Sequence, residues 1–301
     1  MTPLTTRFFT SLLQNFMAET KETWTTLKVL EWTKGYLAEK GIGNARLEAE
    51  WMLCEILGLD RVGLYVNFDK PLTAAELAHF RGMVARRAKR EPLQYILGTQ
   101  EFMGLDFEVV PGVLIPRHDT EVLVEEAVRL GGNARKVLDI GVGSGCIAVA
   151  LARLLPDAAV VGVEQSPEAL AIARRNAEKN SVAVTLQEGS LFEPLTGERF
   201  DLIVSNPPYI PTADLTGLQP EVRDFEPTGA LDGGPDGLDF YRRIIPAAPD
   251  YLNPGSWLLF EVGIGQAEQV LGLFGETGRF GELFTAKDPG GIERVVGGRL
   301  L

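Results

Sequence analysis

The sequence predicts an α/β protein: a mostly parallel sheet covered by helices on both faces, preceded by a smaller helical domain. Three observations predict it. From Glu121 onward, short apolar runs alternate with helix-period segments, the rhythm of repeated strand–loop–helix units. Before them, residues 22–97 carry apolar side chains at helical spacing. The chain of 301 residues is also long enough for two domains, at roughly 150 residues each.

Residues 1–21 read as a flexible N-terminal extension. Thr2 to Phe16 lacks the charged start and long apolar core of a signal peptide, and Met17 opens a more helix-like stretch, which makes Met17 a candidate start. A first helix presents Leu27, Leu30, Lys34 and Leu37 and stops before Gly41. A second turns Leu47, Trp51, Cys54 and Leu57 inward and Glu50 and Glu55 outward, ending at Gly58. Thr73, with Glu76 three residues on, opens a third through Arg90. Residues 98–115 form a β-hairpin linker. Its signals are Phe102, Leu105, Phe107, Val109, Val110 and Val113 to Ile115, punctuated by Gly104 and Pro111-Gly112. Residues 116–301 form the α/β domain. Its strands are expected at Val137–Ile140, Ala159–Val163, Ala183–Gln187 and Leu202–Ser205, with helices at Ile147–Leu155 and Pro167–Asn180.

Composition excludes several classes. With 45% hydrophobic and 23% charged residues, the chain has the make-up of a soluble globular protein. A net charge of −12 argues against a large sequence-independent phosphate-binding surface. The densest basic stretch, Arg86-Arg87-Ala88-Lys89-Arg90, also reads as a helix end with favourable dipole interactions. Two distant cysteines and two histidines, His79 and His118, provide no metal-ligand spacing, and no metal is expected. A disulfide is not expected either, and a reducing cytoplasm fits. No apolar run reaches membrane-spanning length. Nothing in the pattern forces a dimer, and a monomer is expected.

Chemistry concentrates where strands end. Val137-Leu138-Asp139-Ile140 runs into Gly141-Val142-Gly143-Ser144-Gly145 and then a helix. Glycines allow close approach of a ligand, and the helix start beyond offers free N–H groups. In the dinucleotide fingerprint the third glycine would fall at Cys146; here it comes one position early, and Asp139 precedes the loop. A carboxylate there suits an ammonium or sulfonium better than a pyrophosphate, so the loop fits S-adenosylmethionine better than NAD. Glu164 ends the second strand, where a carboxylate can accept both hydroxyls of a ribose. Ser190 and Leu191 follow the third strand, where an adenine ring would lie. Asn206-Pro207-Pro208-Tyr209 follows the fourth. The prolines stiffen this turn, Asn206 and the Pro207 carbonyl offer two acceptors, and Tyr209 adds a flat apolar face. That set suits a planar –NH2 group on an amide or a nucleobase. Four strand ends with ligand-type residues lie on the edge where open α/β sheets place their sites.

These motifs resemble those of the class I S-adenosylmethionine-dependent methyltransferases. Further segments narrow the resemblance to the release-factor glutamine methyltransferases, the HemK/PrmC family. They are Glu91 to Gly98, Pro116-Arg117-His118-Asp119-Thr120-Glu121, Phe225-Glu226-Pro227 with Ala230-Leu231, and Asp236 to Asp239. The resemblance covers roughly residues 25–300. It implies a Rossmann-like, mostly parallel sheet with an antiparallel edge strand, and a helical domain over residues 22–97 that docks the substrate. It implies methyl transfer from S-adenosylmethionine to the side-chain nitrogen of the glutamine in the Gly-Gly-Gln loop of class 1 peptide chain release factors. Asp139, the residues from Gly141 to Gly145, Glu164, Ser190, Leu191 and Asn206 are implied to hold the cofactor. Asn206, Pro207, Pro208, Tyr209, Arg117 and Glu226 are implied to hold the substrate, with Asn206, Pro207 and Tyr209 catalytic. One departure stands out: the family often carries an acidic residue where this chain has Ser190, which removes a carboxylate acceptor for the adenine amino group. The rival reading is amino-group methylation of a nucleobase in DNA or RNA, which would require base flipping. The negative net charge and the lack of a basic recognition domain count against it.

Overall fold

The computed structural model describes residues 23–301; the extension over residues 1–21 and the choice between Met1 and Met17 lie outside the described residues. The chain divides into two compact units, one ending at Lys89 and one beginning at Arg90.

The first unit is helical: α1 (Thr26–Glu39), α2 (Ala45–Leu57), α3 (Arg61–Val66) and α4 (Ala74–Arg87). Thr73 and Glu76 close a reciprocal capping box at the start of α4. Gly58 ends α2 in the left-handed conformation at φ 61°. The buried face of α2 differs from the expected one: Ala45, Ala49, Met52 and Leu53 face inward, while Trp51 is 41% exposed. Glu50, expected outward, is buried, because Arg46, Arg61 and the Tyr65 hydroxyl all donate to its carboxylate. Helix α4 stops at Arg87 rather than Arg90. Arg87 is buried against Glu48, and Arg90, in the second unit, bonds Glu221 at 2.7 Å. Part of the basic stretch is thus committed to internal ion pairs.

The second unit opens with α5 (Leu93–Leu97) and an antiparallel hairpin, β1 (Thr99–Phe102) and β2 (Leu105–Glu108). Tyr95 of α5 clusters with Val109 and Ile115, so this short helix belongs with the hairpin rather than with the helical unit. Val113 to Ile115 form no strand.

Next come α6 (Glu121–Leu130), β3 (Lys136–Ile140), α7 (Cys146–Leu154), β4 (Ala159–Glu164), α8 (Pro167–Lys179), β5 (Val184–Glu188) and β6 (Phe200–Ser205). The short α9 (Pro220–Arg223), then α10 (Asp239–Ala247), β7 (Leu252–Glu261), α11 (Ala267–Thr277), β8 (Phe280–Lys287) and β9 (Glu293–Leu300) complete the unit. The seven-stranded sheet has the order β5-β4-β3-β6-β7-β9-β8. Strands β3 to β7 pair in parallel, as the strand–helix alternation predicts. The antiparallel strand, β9, is not at the edge as expected. It pairs antiparallel with both β7 and β8, so β8 at the edge runs parallel to the rest.

Leu123 of α6 and Ile147 and Leu151 of α7 cover one face of the sheet. Tyr241 and Ile245 of α10, with Val270 and Phe274 of α11, cover the other. Both faces are therefore dry, which fits the near-continuous apolar runs of β3 and β6. Polar groups at the carboxyl ends of the parallel strands consequently collect along one edge.

Candidate functional site

A cleft with about 940 Å³ of empty volume lies along that edge. Ile140, Gly141, Gly143 and Val163 line it from β3, β4 and the glycine loop, and Ser205, Asn206, Pro207 and Pro208 line it from the end of β6. Residues of the 112–114 and 227–230 loops close it from outside, with Phe240 and Ile244 of α10.

The glycine loop does two jobs. Gly141 and Gly143 face the cleft, whereas Val142 and Ser144 are buried and Gly145 does not line it. The Ser144 carbonyl accepts from Asn176 Nδ2 at 2.8 Å. Gly145 precedes α7 with φ 85°, and a Cβ there would sit 3.1 Å from the Ala173 Cα of α8. The early third glycine thus lets two helices approach each other.

Asp139, expected beside a cationic guest, is fully buried beneath the loop and does not line the cleft. Its Oδ2 accepts from the Ala148 N–H at 3.1 Å, and its Oδ1 has no partner among the described residues. Burial pushes its pKa up to about 7; the Ala148 bond opposes this, and the Glu164 charge adds to it. Glu164 does line the cleft. Its Oε2 accepts from the Gly143 N–H and its Oε1 from the Ser166 N–H, both at 2.9 Å. A carboxylate oxygen has two lone pairs, so each retains one for a hydroxyl. Ser190 and Leu191 line the cleft as well. The Ser190 N–H is taken by Glu193 Oε2 at 3.1 Å, and Leu191 adopts the left-handed conformation at φ 54°. A carboxylate with free lone pairs, an orphaned buried acid and an apolar floor together fit a cationic nucleoside such as S-adenosylmethionine.

At the end of β6, Asn206 Nδ2 donates to Thr120 Oγ1 at 3.2 Å, which commits the nitrogen side of its amide. Tyr209 does not line the cleft. Its hydroxyl donates to Glu261 Oε1 at 3.2 Å, and burial, followed by the Glu261 charge, raises its pKa. The Tyr209 carbonyl accepts from Gln266 Nε2 at 2.9 Å, and Gln266 Oε1 in turn accepts from the Gly263 N–H. A Cβ on Gly237 would lie 2.3 Å from that same carbonyl. The turn is therefore clamped from behind by the segment after β7.

Arg117 and Glu226, implied as substrate contacts, are found paired with each other. The Glu226 side chain is buried, its Oε1 accepts from Arg117 and its Oε2 from the Ile115 N–H at 3.3 Å. With its side chain buried and both oxygens bonded, Glu226 braces the loops outside the cleft.

Three residues to which motif reading gives no site role join the site: Thr120, inside the quoted Pro116 to Glu121 segment, Glu261 and Gln266. Thr120 and Glu261 are buried behind the turn. The sequence carries a signal for Glu261, an acid directly after an apolar run ending at Phe260, in the same relation as Glu164 to Val163. Burial pushes the Glu261 pKa up to about 7, against the pull of Thr120, Tyr209 and Arg294.

Asp139 and Glu261 make stability pH-dependent. Their folded pKa values lie above those of an unfolded chain, about 4. From about pH 4 to 7 the native state therefore binds the extra protons, and its stability falls as pH rises through about 7. Urea unfolding of the ligand-free protein is expected to give a higher midpoint at pH 5.5 than at pH 8, and Asp139→Asn should shrink the difference. A wild-type midpoint at pH 8 equal to or above that at pH 5.5 would contradict this.

Known proteins resemble this chain over most of its length. The PrmC N-terminal domain model matches residues 28–98 and the methyltransferase small domain model matches residues 118–217. Among solved structures, a T. thermophilus 16S rRNA methyltransferase in complex with AdoMet and guanosine aligns with a TM-score of 0.50 at 25% identity, over 67% of this chain and 50% of that one. The hMettl16 catalytic domain aligns with a TM-score of 0.55 at 14% identity, over 88% of this chain and 90% of that one, and supports the fold alone. A release factor glutamine methyltransferase of Moorella thermoacetica is 45% identical over 86% of this chain and 92% of its own length. The Geobacter sulfurreducens release factor glutamine methyltransferase is 73% identical over 94% of this chain and 100% of its own length. The chain thus belongs to the release factor glutamine methyltransferase family.

Proposed function

We propose that this chain transfers a methyl group from S-adenosylmethionine to the side-chain amide nitrogen of the glutamine in the Gly-Gly-Gln loop of class 1 peptide chain release factors. We read it as a cytoplasmic monomer whose helical unit docks the substrate. The observation that carries the reading is the polarity of Asn206. With Nδ2 given to Thr120, Oδ1 is left as an acceptor in a turn whose next residue contributes the Pro207 carbonyl. Two acceptors side by side match the two hydrogens of a primary amide.

An amide nitrogen is a weak nucleophile because its lone pair is delocalised into the carbonyl. Accepting both N–H bonds draws electron density back onto nitrogen and fixes its orientation toward the cleft. When bound, S-adenosylmethionine supplies an electrophilic methyl group. In this reading Glu164 holds the ribose hydroxyls, Ser190 and Leu191 lie against adenine, and Asp139 favours a cationic guest from beneath the glycine loop. Pro207 and Pro208 shield the turn from water. The proton left on the alkylated nitrogen is acidic, so no general base need act before attack. Rate enhancement comes from positioning and from acceptors aimed at the growing positive charge.

Mass spectrometry of release-factor peptides after incubation with enzyme and S-adenosylmethionine tests the reading. One added methyl on the Gly-Gly-Gln glutamine is expected. Methylation of DNA or RNA with none on that glutamine would replace it with the nucleobase reading.

A further inference from the structure

The ladder that joins β6 to β7 last pairs Ser205 with Phe260. Beyond it the two chains part, one into the Asn206–Tyr209 turn and the other toward α11. One side chain spans the gap. Gln266 Oε1 accepts from the Gly263 N–H, and Gln266 Nε2 donates to the Tyr209 carbonyl, both at 2.9 Å. An amide oxygen can only accept and an amide nitrogen can only donate, so turning this group over would set like against like on both sides. Its root is fixed as well: the Gln266 N–H donates to the Gly263 carbonyl at 3.1 Å, and the Gln266 carbonyl accepts from the Val270 N–H at 3.0 Å. The buried side-chain amide thus stands where a peptide unit of a further strand would stand. Three glycines make room for it. A Cβ on Gly237 would lie 2.3 Å from the Tyr209 carbonyl oxygen and 2.6 Å from Gln266 Nε2. One on Gly263 would lie 2.7 Å from Gln266 Oε1, and one on Gly233 would lie 2.8 Å from the Pro208 carbonyl oxygen. Such close approach needs a residue without a Cβ. Gly237 belongs to the Asp236 to Asp239 segment, which carries the family resemblance but has no role in the cleft.

We propose that Gln266 is a positioning residue for methyl transfer: its amide ties the end of the Asn206–Tyr209 turn to the neighbouring chain and so sets where the Pro207 carbonyl points. Pro207 and Pro208 have no N–H, so the middle of the turn cannot brace itself by donating hydrogen bonds. The turn is held from its ends, by Thr120 at Asn206 and by Gln266 at Tyr209. Gln266 does not line the cleft, so it acts through the turn rather than on a guest. With the tie cut, the Tyr209 carbonyl and the Gly263 N–H each lose a partner, and the Pro207 carbonyl between the two anchors can rotate. The catalytic consequence rests on the proposed glutamine methylation; the tie itself does not.

Two variants test the tie. Gln266→Met keeps the length of the side chain and makes neither bond. It is expected to lower kcat on a release-factor substrate by about 10- to 100-fold, on the scale of one or two lost hydrogen bonds, with the S-adenosylmethionine Kd and the release-factor KM within about threefold of wild type. Gly237→Ala reaches the same bond from another segment and is expected to give the same split between kcat and KM. Because both act on one hydrogen bond, the double variant is expected to be slowed by less than the product of the two single effects. Independently of activity, the Gly263 amide, followed by NMR in ligand-free protein, is expected to exchange at least about tenfold faster in Gln266→Met than in wild type. Wild-type kcat in folded Gln266→Met, or an unchanged Gly263 exchange rate, overturns the inference, and so does a loss that falls on the cofactor Kd with kcat kept. If Gln266→Met does not fold, wild-type kcat in Gly237→Ala overturns it. Absent methyl transfer in wild type, with the Gly263 difference present, would instead remove only the glutamine reading and leave the tie standing.

Discussion

Asn206→Ala is expected to lower turnover of a release-factor substrate by roughly 10²–10³-fold, the scale of losing one preorganised hydrogen-bonding group in an active site. The substitution removes the acceptor that holds one amide hydrogen and leaves the Pro207 carbonyl alone. An amide held at one hydrogen can rotate, and its nitrogen returns to resonance with its own carbonyl. Binding of S-adenosylmethionine should change little, because Glu164 and the glycine loop lie on other strand ends. Single-turnover kinetics and calorimetric titration with the cofactor separate the two effects. Full turnover would end the acceptor role, and a large loss of cofactor affinity would relocate Asn206 to the cofactor site.

Glu164→Ala is expected to act the opposite way, raising the S-adenosylmethionine Kd about 100-fold while kcat at saturation stays near wild type. Hydrogen bonds to a charged acceptor contribute about 1.5–3 kcal/mol each, and two ribose hydroxyls are at stake. About 1.4 kcal/mol is worth a factor of ten. The carboxylate also accepts from the Gly143 and Ser166 N–H groups, so its removal loosens the loop itself. Glu164→Gln keeps an acceptor oxygen and should fall between the two. A wild-type Kd in Glu164→Ala would exclude the ribose role.

The cores of β3, β4 and β6 are legible because strands buried on both faces must be apolar along their whole length. The site edge is legible for the same reason: Glu164 and Asn206 interrupt runs that could not continue inside. Pairing partners are not written in such runs, which is why β9 between β7 and β8 escapes periodicity. The inward face of α2 misleads because Glu50 is neutralised by three donors from residues up to 15 apart, and such partners are invisible to a hydrophobic stripe. Asp139 and Glu226 read as ligand contacts from motif alone. Both are buried in the structure, Asp139 by facing inward from its strand and Glu226 by its bonds to Arg117 and the Ile115 N–H. Tyr209 reads as a plate for the guest, yet its hydroxyl is spent on an acid 52 residues downstream.

Strands β3 and β6 lie side by side with Ile140 opposite Ser205, so the next residue on each is the first of its functional loop, Gly141 and Asn206. The spacing between donor loop and acceptor turn is therefore a property of the hydrogen-bond ladder, read out like a vernier. Sliding β6 by one residue would carry Asn206 about 3.3 Å along the strand and turn alternate side chains to the other face. Loops around the cleft can lengthen without disturbing that distance, but the two central strands cannot slip. In this chain the gauge that sets where a methyl group must travel is built from backbone, in the driest part of the molecule.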